Sequence, residues 1–137
     1  MHELGIMTSV AQCSVAEARR AGATSILQVT LDVGEMTEAI PDALQFAWEV
    51  LQESELMISQ AELVVNMITP KSQCLECNAE YEHDRFHMVC PKCGSGFTKL
   101  LRGRELNIAS LDVDVPDESS LIGENSANER EQMFDII

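Results

Sequence analysis

Cys74-Leu-Glu-Cys77 and Cys90-Pro-Lys-Cys93-Gly94, with twelve residues between the two pairs, divide this chain of 137 residues. Two residues between cysteines let both sulfurs of a tight knuckle converge on one ion, and the loop of about a dozen residues brings the second knuckle back opposite the first. Gly94 allows the backbone to turn beneath its pair. Four thiolates at about 2.3 Å in a closed tetrahedron make a structural zinc site with no open position. The same ligands would hold iron in a rubredoxin-like site, and that alternative stays open. Disulfides do not fit a chain read as cytoplasmic. A segment this small buries little apolar surface, so the metal supplies much of its folding free energy. Residues 70–104 are therefore expected to form a zinc-binding module.

Upstream of the module, Leu63, Val65 and Met67 alternate along a strand expected over 62–69, which Pro70 ends. Before it, Pro41 suits the first turn of a helix, where its missing N–H costs nothing. Leu44, Ala47, Trp48 and Leu51 carry that helix at helical spacing to about residue 54. Residues 26–33 alternate Leu27, Val29, Leu31 and Val33 against Gln28, Thr30 and Asp32, a half-buried strand closed by Gly34. A first helix is expected over 4–21, with Leu4, Met7, Val10, Ala11, Val15 and Ala18 on one face and Gly22 as its left-handed cap. Cys13 on that helix reads as a small apolar residue.

Downstream of the module the strand expected over 105–115 breaks phase. Leu106 and Ile108 share one parity while Leu111, Val113 and Val115 share the other. Period-two geometry puts these sets on opposite faces unless a residue is absorbed, so a bulge or bend is expected near Ala109-Ser110. Residues 116–137 are an acidic extension, in which 117–137 carry six acids and one Arg. It is expected to be disordered, or to form a short helix behind the capping-box pattern Ser126-Ala-Asn-Glu129.

Charge excludes some functions. The net charge is −14, the wrong sign for a phosphate backbone. Six of the nine basic residues fall within 71–104 beside four acids, which leaves no basic patch once thiolates and a divalent metal are counted. No apolar run approaches the ~20 residues a membrane helix needs, and the first residues lack a signal peptide's basic and apolar regions. A cytoplasmic protein without nucleic-acid or membrane partners is expected. His83 and His87, between the knuckles, read as solvated loop residues; the alternative is that one replaces a thiolate ligand as pH falls.

The third histidine is His2. In a chain that begins NH2-X-His, the terminal amine, the deprotonated amide of His2 and its imidazole Nδ1 can close fused chelate rings on one ion. Such nitrogen-rich coordination suits Ni(II) or Cu(II) better than Zn(II), and Glu3 can add an oxygen. By itself the pattern leaves two readings open, a metal chelate or an ordinary surface histidine.

Four features in order are similar to the HypA/HybF family of hydrogenase-maturation nickel chaperones. They are the terminal Met1-His2-Glu3, Val33-Gly34-Glu35 after the first strand, the paired knuckles, and Gly103-Arg-Glu-Leu-Asn-Ile108-Ala-Ser-Leu111. The resemblance covers residues 1 to about 115. It implies an α+β fold of two helices packed on a three-stranded sheet. Residues 1–69 and 105–115 would form the nickel-binding domain, with the zinc-ribbon-like module of 70–104 inserted between the second and third strands. The strands and helices read from periodicity agree with it. It implies nickel bound through Met1, His2 and Glu3, and zinc on Cys74, Cys77, Cys90 and Cys93. It further implies work with a HypB-type GTPase on the hydrogenase large-subunit precursor, in some organisms supply of urease, and a monomer or homodimer. Where some relatives place an acid near a further nickel ligand this chain has Ile40, with Glu38 and Asp42 nearby, so no ligand is carried over there. The residues offer no nucleophile–histidine–acid set and no phosphate-cradling loop, so no enzyme is expected. A zinc-ribbon interaction adaptor with no nickel role is the competing reading.

Overall fold

The computed structural model describes residues 3–116, 127–130 and 134–135; Met1 and His2 lie outside them. The chain order is α1 (Glu3–Arg20), β1 (Ser25–Gly34), α2 (Pro41–Gln52), β2 (Glu62–Ile68), β3 (Lys71–Cys74), β4 (Glu80–Glu82), β5 (Thr98–Arg102), β6 (Leu106–Asp114), β7 (Ala127–Arg130) and β8 (Phe134–Asp135). α1 ends as its sequence dictates: Gly22 takes φ +79°, and the amides of Gly22 and Ala23 return to the carbonyls of Arg19 and Ala18. That is a Schellman closure, which satisfies carbonyls the helix leaves open.

β1 is central in the larger sheet, parallel to β2 through the α2 crossover and antiparallel to β6. Met7, Val10 and Val15 from α1, Leu44, Ala47 and Trp48 from α2, and the inward residues of β1, β2 and β6 form one core. α2 is tied to the chain it covers: Trp48 Nε1 donates to Ala61 O at 3.1 Å, and Gln45 Nε2 to Leu63 O at 2.8 Å. Leu4, expected on the apolar face of α1, is exposed instead.

The expected bulge is present. Thr30 pairs with Ser110 but Leu31 with Ile108, so Ala109 has no partner on β1. The extra residue resets the phase, and Leu106, Ile108, Leu111 and Val113 are all buried in the same core. A second irregularity was not expected: Ile26 pairs with Val113 and Gln28 with Asp112, which leaves Leu27 unpaired. Ile26 therefore points inward and Leu27 outward, reversing the side expected for Leu27.

Three strands were expected in this sheet, and β7 and β8 add to them. β7 pairs with Leu111–Asp114 and β8 with Asn107–Ile108, both antiparallel to β6. The described parts of the extension are thus strands, not the short helix that Ser126-Ala-Asn-Glu129 suggested; Ser126 itself lies outside the described residues. The free edge of β6 offers main-chain donors and acceptors, and pairing with it outweighs a weak local helix signal. The module forms its own sheet in the order β4-β3-β5.

Gly34 and Gly103 set how module and α+β lobe join. Chain enters the module at Pro70 and leaves it at Gly103. A Cβ on Gly34 would lie 2.0 Å from the Gly103 carbonyl oxygen, and one on Gly103 would lie 2.9 Å from Pro70 Cα. The contact is closed by hydrogen bonds: Gly34 N–H donates to Glu105 O at 2.7 Å and Met36 N–H to Gly103 O at 2.8 Å. Two stretches singled out in the sequence, Val33-Gly34-Glu35 and the segment from Gly103, therefore pack backbone on backbone.

Candidate metal centre and the amino-terminal region

The two knuckles have the same local geometry. Cys74 N–H donates to Ala79 O and Asn78 N–H to Cys74 O; in the second, Cys90 N–H donates to Ser95 O and Gly94 N–H to Cys90 O. Each turn needs a left-handed residue after its second cysteine, supplied by Asn78 at φ +64° and Gly94 at φ +73°. Asparagine is among the few other residues that tolerate this conformation, a signal at position 78 that the sequence reading missed.

All four sulfurs lie within 4.8 Å of one another, with Cys74 to Cys93 at 3.5 Å and Cys77 to Cys90 at 3.6 Å. A tetrahedron of Zn–S bonds near 2.3 Å places sulfurs about 3.8 Å apart, so the donor set fits that ion. Cys74 and Cys90 are buried while Cys77 and Cys93 face solvent. The amides of Glu76 and Cys77 both point at Cys74 Sγ, each at 3.4 Å.

These contacts divide the thiols. Cys74 is lowered to about 7, first by the Cys77 N–H, against burial, with further help from Glu76. Cys90 is lowered in the same way by the amides of Cys93 and Lys92. Cys77 and Cys93 each accept an amide hydrogen bond that lowers them, from Ala79 and Ser95. Their partnership with the ionising sulfurs of Cys90 and Cys74, and burial, outweigh it; Cys77 rises, and Cys93 is pushed up to about 12. One thiol in each knuckle is thus prepared to ionise.

Neither loop histidine joins this cluster. His83 is half-buried, with Nε2 2.7 Å from Ser72 Oγ and Nδ1 2.8 Å from Asp84 O. Nδ1 donates its hydrogen bond to the carbonyl and Nε2 shares one with the Ser72 hydroxyl, so both ring nitrogens are used. His83 is therefore a structural residue of the β3–β4 hairpin rather than a solvated one. His87 is exposed and donates from Nδ1 to Asp84 at 2.8 Å. The amide of Phe86, then His87, hold the Asp84 carboxyl below its ordinary range.

Of the three terminal residues singled out in the sequence, the structure describes Glu3. It opens α1, and its carboxylate accepts the N–H of Ile40 at 3.4 Å. Ile40 and Glu38 border a groove of about 330 Å³ that Asp84, Arg85 and Phe86 line from the module. Arg85 crosses it to Glu38 at 3.4 Å. Glu38 takes φ +63°, unusual for a residue other than glycine. Among the described residues, the four cysteines are the one group of three or more metal-ligating side chains drawn together.

Residues 1–113 match the family described as "Hydrogenase/urease nickel incorporation, metallochaperone, hypA". Hydrogenase maturation factor HypA of Methanococcus maripaludis is 36% identical over 126 residues, covering 86% of this chain and 99% of that one. Its counterpart in Rhizobium leguminosarum bv. viciae is 34% identical and covers 82% of this chain and 99% of its own length. The solution structure of the Ni metallochaperone HypA from Helicobacter pylori superposes with a TM-score of 0.63 at 23% identity, over 85% of this chain and all of that one. That likeness concerns the fold.

Proposed function

The chain belongs to the HypA family of hydrogenase and urease nickel-incorporation factors, and from that premise we propose that it is a nickel metallochaperone for hydrogenase maturation. It binds Ni(II) through Met1, His2 and Glu3 and releases it to an enzyme under assembly, without catalysing a reaction. The four cysteines hold a structural Zn(II). The partners are a HypB-type GTPase and the hydrogenase large-subunit precursor in the cytoplasm.

The observation that carries the reading is the placement of Glu3. Its carboxylate is tied to Ile40 on the α+β lobe, so the third residue of the chelate is anchored to a folded surface. Only two residues precede it in the sequence. A site so short selects metal through its nitrogen donors, and stepwise ligand exchange can free the ion. Cargo that must leave is better held at such a terminus than in a closed site like the cysteine tetrahedron.

Titrating Ni(II) into zinc-loaded protein with a native, untagged terminus tests this beside His2→Ala and a form extended by one residue before Met1. One nickel bound by the native chain, with at least tenfold weaker binding in both variants, supports the terminal chelate. Equal binding by all three sinks it and brings the zinc-ribbon adaptor forward.

A further inference from the structure

The strongest unexplained surface is the outward side of α2. Residues 21–70 contain eight carboxylates and no Lys, Arg or His. Within that stretch five large apolar side chains stand in solvent: Leu27 on β1 and, on or beside α2, Ile40 59%, Phe46 67%, Val50 41% and Leu56 89% exposed. Ile40 caps α2, Ala43, Phe46 and Val50 follow at helical spacing, and Leu56 lies in the turn beyond. On α2 itself Phe46 and Val50, four residues apart, are exposed beside Asp42, Glu49 and Glu53, while Leu44, Ala47 and Trp48 face the core. Scattered apolar residues on a surface need no explanation; an exposed pair, Phe46 and Val50, one helical turn apart, flanked by Ile40 and Leu56 and bordered by acids, does.

The acids beside this pair break a local rule. Glu49 and Glu53 sit at the carboxyl end of α2, where the helix dipole disfavours negative charge, and no basic residue occupies the last turn. Among the described residues Asp42, Glu49 and Glu53 make no ion pair, whereas four of the five basic or histidine side chains that do so belong to the module or its loop: Lys71, Arg85, His87 and Arg102. A helix that keeps uncompensated carboxylates where they cost stability, around apolar groups left in water, is built for something it meets outside itself.

We propose that the outward face of α2 is the docking surface for a cationic, apolar-faced helix of a partner protein. The partner's apolar residues would cover Phe46, Val50 and Leu56, and its Lys or Arg side chains would pair with Asp42, Glu49 and Glu53. The sign of the charge argues against a second copy of this acidic face and against an anionic membrane. The surface ends at Ile40, whose amide holds Glu3, so a helix docked here lies beside Glu3. The docking surface itself does not depend on nickel binding.

The test uses zinc-loaded, 15N-labelled full-length protein and an 18-residue probe helix of Leu and Lys at helical spacing, with a Leu/Glu helix as control. The expected result is a set of NMR shifts confined to α2 and residues 40 and 56. Affinity should fall at least tenfold in Phe46→Ser/Val50→Ser and in Glu49→Lys/Glu53→Lys. The second variant removes unfavourable charge from the end of α2, so it should fold at least as well as the parent, and its lost binding is not misfolding. Shifts spread over acids across the molecule, or unchanged affinity in Phe46→Ser/Val50→Ser, would mean charge attraction alone and overturn the proposal. So would no binding. Light scattering that shows a dimer broken by the same serine variant would assign the face to self-association instead.

Discussion

At the scale of single residues, the metal centre depends on how four chemically identical side chains are made unequal. Amides aimed at Cys74 and Cys90 lower their thiols, while Cys77 and Cys93 lie above the ordinary range. A metal needs all four as thiolates, so binding releases protons and affinity must depend on pH. The sign follows from the raised pair. Cys93, near 12 without metal, stays protonated through the neutral range, and lowering pH adds protons at Cys74 and Cys90 as well. Zinc should therefore be held at neutral pH and lost progressively as pH falls from about 7 to about 5, never as it rises. Transfer to a chromophoric chelator across that range measures this, and a flat profile would contradict it. That these four cysteines come together was legible in the sequence because two residues between paired cysteines leave few other uses. The ranking of the thiols was not, because it is set by which amide points at which sulfur.

At the scale of elements, two bulges decide which side chains reach the core, and the sequence exposed one of them. The break between Ile108 and Leu111 is visible because all four flanking positions are apolar and must share a face. The one at Leu27 is hidden, because Leu27, Val29, Leu31 and Val33 alternate without fault and only the pairing with β6 shows Ile26 taking the inward place. Deleting Ala109 should slip Leu111 and Val113 toward solvent or force β6 out of register. Each fully buried side chain of this kind contributes about 1.5–3 kcal/mol, so a loss of more than about 3 kcal/mol is expected from urea unfolding. The conservative swap Ala109→Ser, which keeps the residue count, should cost well under half of that. The extension was the least legible element, since β7 and β8 take their strand form from the edge of β6 rather than from their own pattern.

At the scale of the whole molecule, two units share one chain on different terms. The α+β lobe has a continuous core from both helices and three strands, while the module buries Cys74, Tyr81 and Cys90 and little else. Removing zinc should therefore unfold residues 70–104 and leave the lobe standing. The joint determines how far the loss spreads. Gly34 and Gly103 meet backbone to backbone, His83 N–H reaches Pro70 O at 3.0 Å, and Arg85 reaches Glu38 at 3.4 Å. Gly34 itself belongs to β1, whose partners hold it independently of the metal. Hydrogen exchange before and after chelation separates the cases. Protection should vanish across β3, β4 and β5, weaken at the amides of Gly34 and Met36, and persist in α1, α2 and the central strands. Collapse of protection throughout would mean that the lobe cannot stand without the module, and that zinc supports the surface carrying Glu3 as well as its own loop.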